Sequence, residues 1–128
     1  MKRILEQPVL LSWLLLLYFH WLMRFGGFSR VHEAVRQGKV VSRPKTHRSE
    51  RDLAHAVDLA CVLYFKPVLC LQRSAATALL LRRHGWSASM VIGAQLLPFQ
   101  SHAWVEIDGR VVNDKPYVHQ MFQIIERC

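Results

Sequence analysis

At His84-Gly85 the hydrophobic period of this chain changes, and the change narrows its fold sharply. Ahead of the pair, apolar residues recur at helical spacing: Leu53, Ala56, Val57, Ala60, Leu63 and Tyr64 form one stripe, and Leu71, Ala75, Ala78 and Leu79 lead down to Arg82 in another. Gly85 is placed to take a left-handed cap and stop the second helix. Behind the pair, SMVIGAQ (89–95), HAWVEI (102–107) and RVVND (110–114) are rich in branched residues and separated by turn formers, so they read as strands. N-terminal helices followed by a small antiparallel sheet make an α+β domain. A length of 128 residues, 52% of them hydrophobic and 20% charged, suits one packed domain with its own core.

The first part of the chain divides into an apolar helix over 1–25 and a short helix with a basic loop over 26–48, leaving 49–128 for the core. Residues 8–23, PVLLSWLLLLYFHWLM, hold no Asp, Glu, Lys or Arg. A cleaved signal is disfavoured by Glu6 and by the absence of a small-x-small site behind the run. A transmembrane helix wants about 20 apolar residues, and this run is shorter and carries Ser12 and His20. The preferred reading is a helix that packs on the domain or a partner and ends at Arg24 and Gly26-Gly27, with peripheral membrane contact through Trp13, Tyr18, Phe19 and Trp21. Phe28, Val31 and Val35 mark a second helix that Gly38 would stop, and Pro44 breaks the basic loop GKVVSRPKTHR. Ser49 with Asp52 resembles a capping box, and the helix it opens should end before Pro67.

Lys and Arg number 17 against 9 Asp and Glu, a formal charge of +8. Such a balance suits an anionic partner, yet the basic residues are dispersed and no nucleic-acid module accompanies them, so nucleic acid is not expected as a partner. A basic surface facing a peptide or protein is the better reading. The cysteines, Cys61, Cys70 and Cys128, match no zinc spacing and are odd in number, which points to a reducing, cytoplasmic setting with a free thiol. His55, His84 and His119 lack a second ligand at metal spacing. Gly26-Gly27 has no following Lys-Ser or Lys-Thr, so no nucleotide loop is expected.

Cys70 opens the second core helix, where unpaired backbone N–H groups and the helix dipole favour a thiolate. An imidazole beside such a thiol can take its proton and return it to a leaving amine, while a carboxylate on the other ring nitrogen fixes orientation. His102 and Asp114 supply those parts. A three-residue turn at Ile107-Asp108-Gly109 would pair Glu106 with Arg110, Trp104 with Val112 and His102 with Asp114; a two-residue turn would send Asp114 to the opposite face. The charge pairing favours the longer turn. The backbone N–H of Cys70 is one oxyanion donor, and Gln95 is a candidate for the second. Cys61 reads as core, and Asp108 as a solvent-facing turn residue. Cys at a helix start followed by His and Asp on paired strands is the order of papain-like and transglutaminase-like cysteine enzymes.

The runs CLQRSAATALLLRRHGWSASMVIGA (70–94) and FQSHAWVEIDGRVVND (99–114) resemble the transglutaminase-like leader peptidases of lasso-peptide biosynthesis, the microcin-processing type. The likeness spans residues 49–114 and, more loosely, RFGGFSRV. It implies a transglutaminase/papain-like cysteine protease core, a catalytic triad of Cys70, His102 and Asp114, and no metal or cofactor for the hydrolysis. It also implies cleavage of a lasso precursor peptide between leader and core, whose freed amine a separate ATP-dependent lasso cyclase joins to an acidic side chain. The chain resembles the form without a fused leader-recognition domain, which relies on a separate leader-recognition protein. Two other readings share the same residues: a catalytically silent peptide-binding module, and an acyltransferase that passes the thioester to an amine.

Overall fold

The structure is a computed structural model that describes residues 8–41, 49–96 and 99–128. Helix α1 (Pro8–Gln37) runs through both of the helical segments read from the sequence. Gly26-Gly27 does not end it. Gly27, at φ 69° and ψ −164°, puts a kink there, and the chain resumes helical geometry at once, because a single glycine can absorb the left-handed step without breaking the packing on either side. Of the basic loop, residues 42–48 lie outside the described residues.

Helix α2 (Glu50–Leu63) starts as its cap predicts: Ser49 Oγ accepts the Asp52 backbone N–H at 3.1 Å. Leu53, Val57 and Ala60 are fully buried, but Leu63, expected on the same stripe, is 61% exposed because the helix stops there and the chain turns away. Helix α3 (Cys70–Arg83) is the centre of the domain. It is buried on more than the predicted stripe, with Ala75, Ala76, Ala78, Leu80 and Leu81 all inaccessible. Alanines on several faces let α1, α2 and the sheet all approach this helix closely.

The sheet is antiparallel in the order β3-β2-β1-β4, with β1 Ala88–Leu96, β2 Phe99–Ile107, β3 Arg110–Val111 and β4 Gln123–Arg127. A short helix, α4 (Val118–Met121), precedes β4, so the last segment is both helix and strand. Strand alternation divides the side chains. Ala88, Met90, Ala103, Val105 and Ile107 face the helices, whereas Val91, Trp104, Val118 and Phe122 form a second, smaller cluster on the other face.

Arg82 joins these layers from inside. Only 7% exposed, it donates Nε to the Ala88 carbonyl at 2.9 Å and Nη2 to the Cys128 carbonyl at 2.9 Å, while Nη1 serves the Val35 and Gly38 carbonyls. It therefore ties the end of α1, the start of β1 and the end of β4. Its place at the foot of the apolar stripe is thus in the core, where burial lowers its pKa and the charge of Cys128 opposes that drop.

Candidate active site

The turn at Asp108-Gly109 differs from the expected one. Both residues have positive φ, 51° and 79°, and the loop has two residues, pairing Ile107 with Arg110 and Glu106 with Val111. Continued, that register would set Asp114 opposite Ala103 and drive its carboxylate into the apolar layer under the helices. The ladder stops first. Val112 N–H still bonds the Val105 carbonyl at 3.0 Å, but Val105 N–H donates to the Asn113 side-chain Oδ1 at 2.7 Å instead of to a strand carbonyl. The backbone bends over 112–114, and Asp114 swings to the face of His102.

There Asp114 Oδ2 lies 2.5 Å from His102 Nε2, and Asp114 Oδ1 accepts Lys115 N–H at 2.7 Å. With Nε2 occupied, Nδ1 is the nitrogen left for a third group. Burial pushes the Asp114 carboxyl upward, but the His102 hydrogen bond, the Lys115 N–H and the charges of His102 and Arg73 outweigh it and hold the carboxyl below its usual range. The pair is in place without any third group, ring nitrogen against carboxylate. The expected cross-strand pairing of the two residues does not occur, yet their side chains meet.

The His102 ring is walled by Phe122, with ring centres 5.3 Å apart, and by Trp104 at 6.0 Å. Trp104 is fully buried and donates Nε1 to Glu106 Oε2 at 2.9 Å, so Glu106 serves the indole and stands 3.6 Å from Arg127 rather than pairing with Arg110. Gly93 sits opposite His102 in the β1–β2 ladder, and a Cβ there would come within 2.7 Å of the Trp104 ring and 2.8 Å of Phe122. Alternation along β2 gives none of these contacts away in the sequence, because Phe122 reaches the ring from a segment about 20 residues further along the chain.

Cys70 is the first residue of α3, half-buried, and no side chain caps that helix start. Its thiol makes no hydrogen bond to the imidazole among the described residues. What connects the two is one turn down: Ser74, on the same helix face as Cys70, donates Oγ to the Ala103 carbonyl at 2.9 Å, next in chain to His102. Arg73 meanwhile forks onto Asp58 Oδ1 of α2, at 2.9 Å from Nε and 2.7 Å from Nη2. The other two thiols differ in setting. Burial raises Cys61, with Arg73 lowering and Asp58 raising it further, and burial likewise raises Cys128. Gln95, the candidate second oxyanion donor, spends its Nε2 on Gln100 Oε1 across the hairpin at 3.2 Å.

A polar cleft of about 330 Å³ opens between α2 and the hairpin. Arg51, His55 and Asp58 line one side and Arg110, Val111 and Val112 the other, and a Glu50–Arg110 ion pair closes one end. The edge strand β3 borders it.

A family model described as the transglutaminase-like superfamily matches residues 13–127. The microcin J25-processing protein McjB of Escherichia coli is 27% identical over 109 residues, which are 84% of this chain and 52% of that protein. The chain thus spans about half the length of that curated relative. No solved structure matches. Helices followed by a small antiparallel sheet, matched almost from end to end by one family model, mean that the chain belongs to the transglutaminase-like superfamily.

Proposed function

We propose that this protein is a cysteine peptidase of lasso-peptide maturation, cutting a precursor between leader and core with Cys70, His102 and Asp114. The observation that carries the reading is the His102–Asp114 hydrogen bond through Nε2, which leaves Nδ1 for a thiol on the helix that Ser74 ties to the same strand. The similarity to a microcin J25-processing protein supports the choice of substrate.

In this reading the Cys70 sulfur, as thiolate, attacks the scissile carbonyl carbon. The backbone N–H groups at the uncapped start of α3 face the resulting oxyanion. The tetrahedral intermediate then collapses: its C–N bond breaks, His102 gives its proton to the departing amine, which leaves as the new N-terminus of the core, and the leader stays on Cys70 as a thioester. Water then attacks the thioester while His102 takes its proton, and the leader departs as a carboxylic acid with Cys70 restored. Asp114 holds the ring and offsets the imidazolium charge. An acyltransferase would share every step up to the thioester and differ only in its acceptor.

In the same reading a separate protein holds the leader, an ATP-dependent cyclase uses the freed amine, and the protein works in the cytoplasm with peripheral membrane contact. Leu14, Tyr18, Trp21, Phe25 and Phe28 form an exposed stripe along α1. That helix is apolar and long enough to cross a membrane, yet Leu16 and Phe19 belong to the core, which supports a surface contact over a crossing.

The test is mass spectrometry of a lasso precursor incubated with the protein and its recognition partner, alongside Cys70→Ala. Cleavage at the leader–core junction that disappears in the variant supports the peptidase. An amide-linked adduct in place of a free leader carboxylate would instead identify a transferase, and intact precursor with both proteins would favour a silent binding module.

A further inference from the structure

Three buried polar contacts meet where the elements of the site cross. Ser74, 1% exposed, donates Oγ to the Ala103 carbonyl at 2.9 Å and accepts Asn113 Nδ2 at 3.2 Å. Asn113, 5% exposed, accepts Val105 N–H on Oδ1 at 2.7 Å. The amide orientation follows from those partners, since Val105 N–H needs an acceptor and the Ser74 hydroxyl has already spent its proton on Ala103. Ala103 and Asn113 are direct chain neighbours of triad residues, and Ser74 shares a helix face with the third. Ser74 lies one turn after Cys70, Ala103 follows His102, and Asn113 precedes Asp114.

We propose that Asn113 and Ser74 are positioning residues that fix the Cys70 helix against the His102–Asp114 pair. The inference rests on the triad reading above and goes beyond it to the residues that hold it in register. Two features of the brace argue for more than generic packing. First, the Asn113 side chain replaces the carbonyl that a continued ladder would offer Val105, so the bend that brings Asp114 to His102 exists because of this amide. Second, the only buried link from α3 to the His102 segment that passes through side-chain hydrogen bonds among the described residues is Ser74, whose partners are Ala103 and Asn113. Thiol and imidazole sit on different elements, and a shift of about 1 Å between reacting groups can cost on the order of a hundredfold in rate.

The experiment measures alkylation of Cys70 by iodoacetamide in the full-length protein, read by mass on the peptide that carries it, as the ratio of rates at pH 6 and pH 9. This needs no precursor or partner. In the parent protein the ratio should be raised by His102, and His102→Ala should lower it about tenfold or more. Ser74→Ala and Asn113→Ala, each checked by its melting curve, should move the ratio most of the way to the His102→Ala value. Arg82→Met serves as the comparison, because it should lower the melting temperature yet leave the ratio alone. If both brace variants fold and keep the parent ratio, or if Arg82→Met moves the ratio as far as they do, the positioning role is overturned while the triad stands. If His102→Ala itself leaves the ratio unchanged, there is no thiol–imidazole pair to position, and both readings fall. Ser74→Ala loses only one oxygen atom, so it decides the matter should Asn113→Ala not fold.

Discussion

His102 Nε2 and Asp114 Oδ2 stand 2.5 Å apart, although the strand pairing nearest them would have put Asp114 on the other side of the sheet. The carboxyl of Asp114 titrates below its usual range in the folded protein. A depressed carboxyl contributes stability that is present above its unfolded value and lost as pH falls through its folded one. Asp114 should therefore produce no inflection in the cleavage rate above about pH 4. Asp114→Asn keeps the shape and removes the charge; cleavage, followed by chromatography of the precursor between pH 5 and pH 8, should fall by about 10²–10⁴-fold.

Arg73 lies in the field of Asp114 while forking onto Asp58. In Arg73→Gln the Asp114 carboxyl should titrate at higher pH, and the acid limb of the rate profile should move up with it. The ion pair itself is partly exposed, 29% and 48% at its two side chains, so the loss of stability should stay within about 1 kcal/mol. Urea unfolding and a pH–rate profile on the same sample would separate the two effects. The Cys61 thiol should also rise, since Arg73 is the charge that lowers it.

Gly93→Ala places a methyl group against Trp104 and Phe122, the walls of the His102 ring. Overpacking of this kind costs about 1–3 kcal/mol. The melting temperature should drop and the near-ultraviolet circular dichroism of the buried indole should change.

The aromatic stripe of α1 should bind lipid. Trp21 and Phe25 stack with ring centres 5.3 Å apart and are 50% and 75% exposed, and Arg24 between them is exposed as well. The full-length protein should sediment with vesicles containing phosphatidylserine more than with neutral ones, and less as salt rises. Trp21→Ser combined with Phe25→Ser should abolish most of the binding and leave the Cys70 chemistry intact.

The helices were largely legible because their signals are local. Ser49 caps, Pro67 excludes, Gly85 reverses, and Cys70 begins a helix whose own residues define it. The partners of His102 and Asp114 were legible too, but not their route to each other. Matching Glu106 to Arg110 by charge favoured the longer turn, whereas Glu106 is buried for the sake of the Trp104 indole. Asn113 gave no sign of accepting a backbone N–H in place of a strand carbonyl. Arg82 could not be distinguished from a surface cation, since the carbonyls it binds at Val35, Gly38 and Cys128 lie 44 to 47 residues away. Gly26-Gly27 carried the signature of a helix end, and only packing on both sides of the kink keeps the helix going.

The break in the hairpin ladder also bears on when the site comes into being as the chain folds. His102 and Asp114 are 12 residues apart along one hairpin, a contact that closes on the timescale of about 1–10 μs. Asn113 fills its remaining bond only when α3 brings Ser74 to it, and Cys70 comes with that helix. If the proposed triad holds, its acid–base half is thus expected to mature ahead of the docking of Cys70. A nascent or partly unfolded chain would carry an isolated thiol without a partner to activate it, and reactivity would arise only with the last tertiary contact.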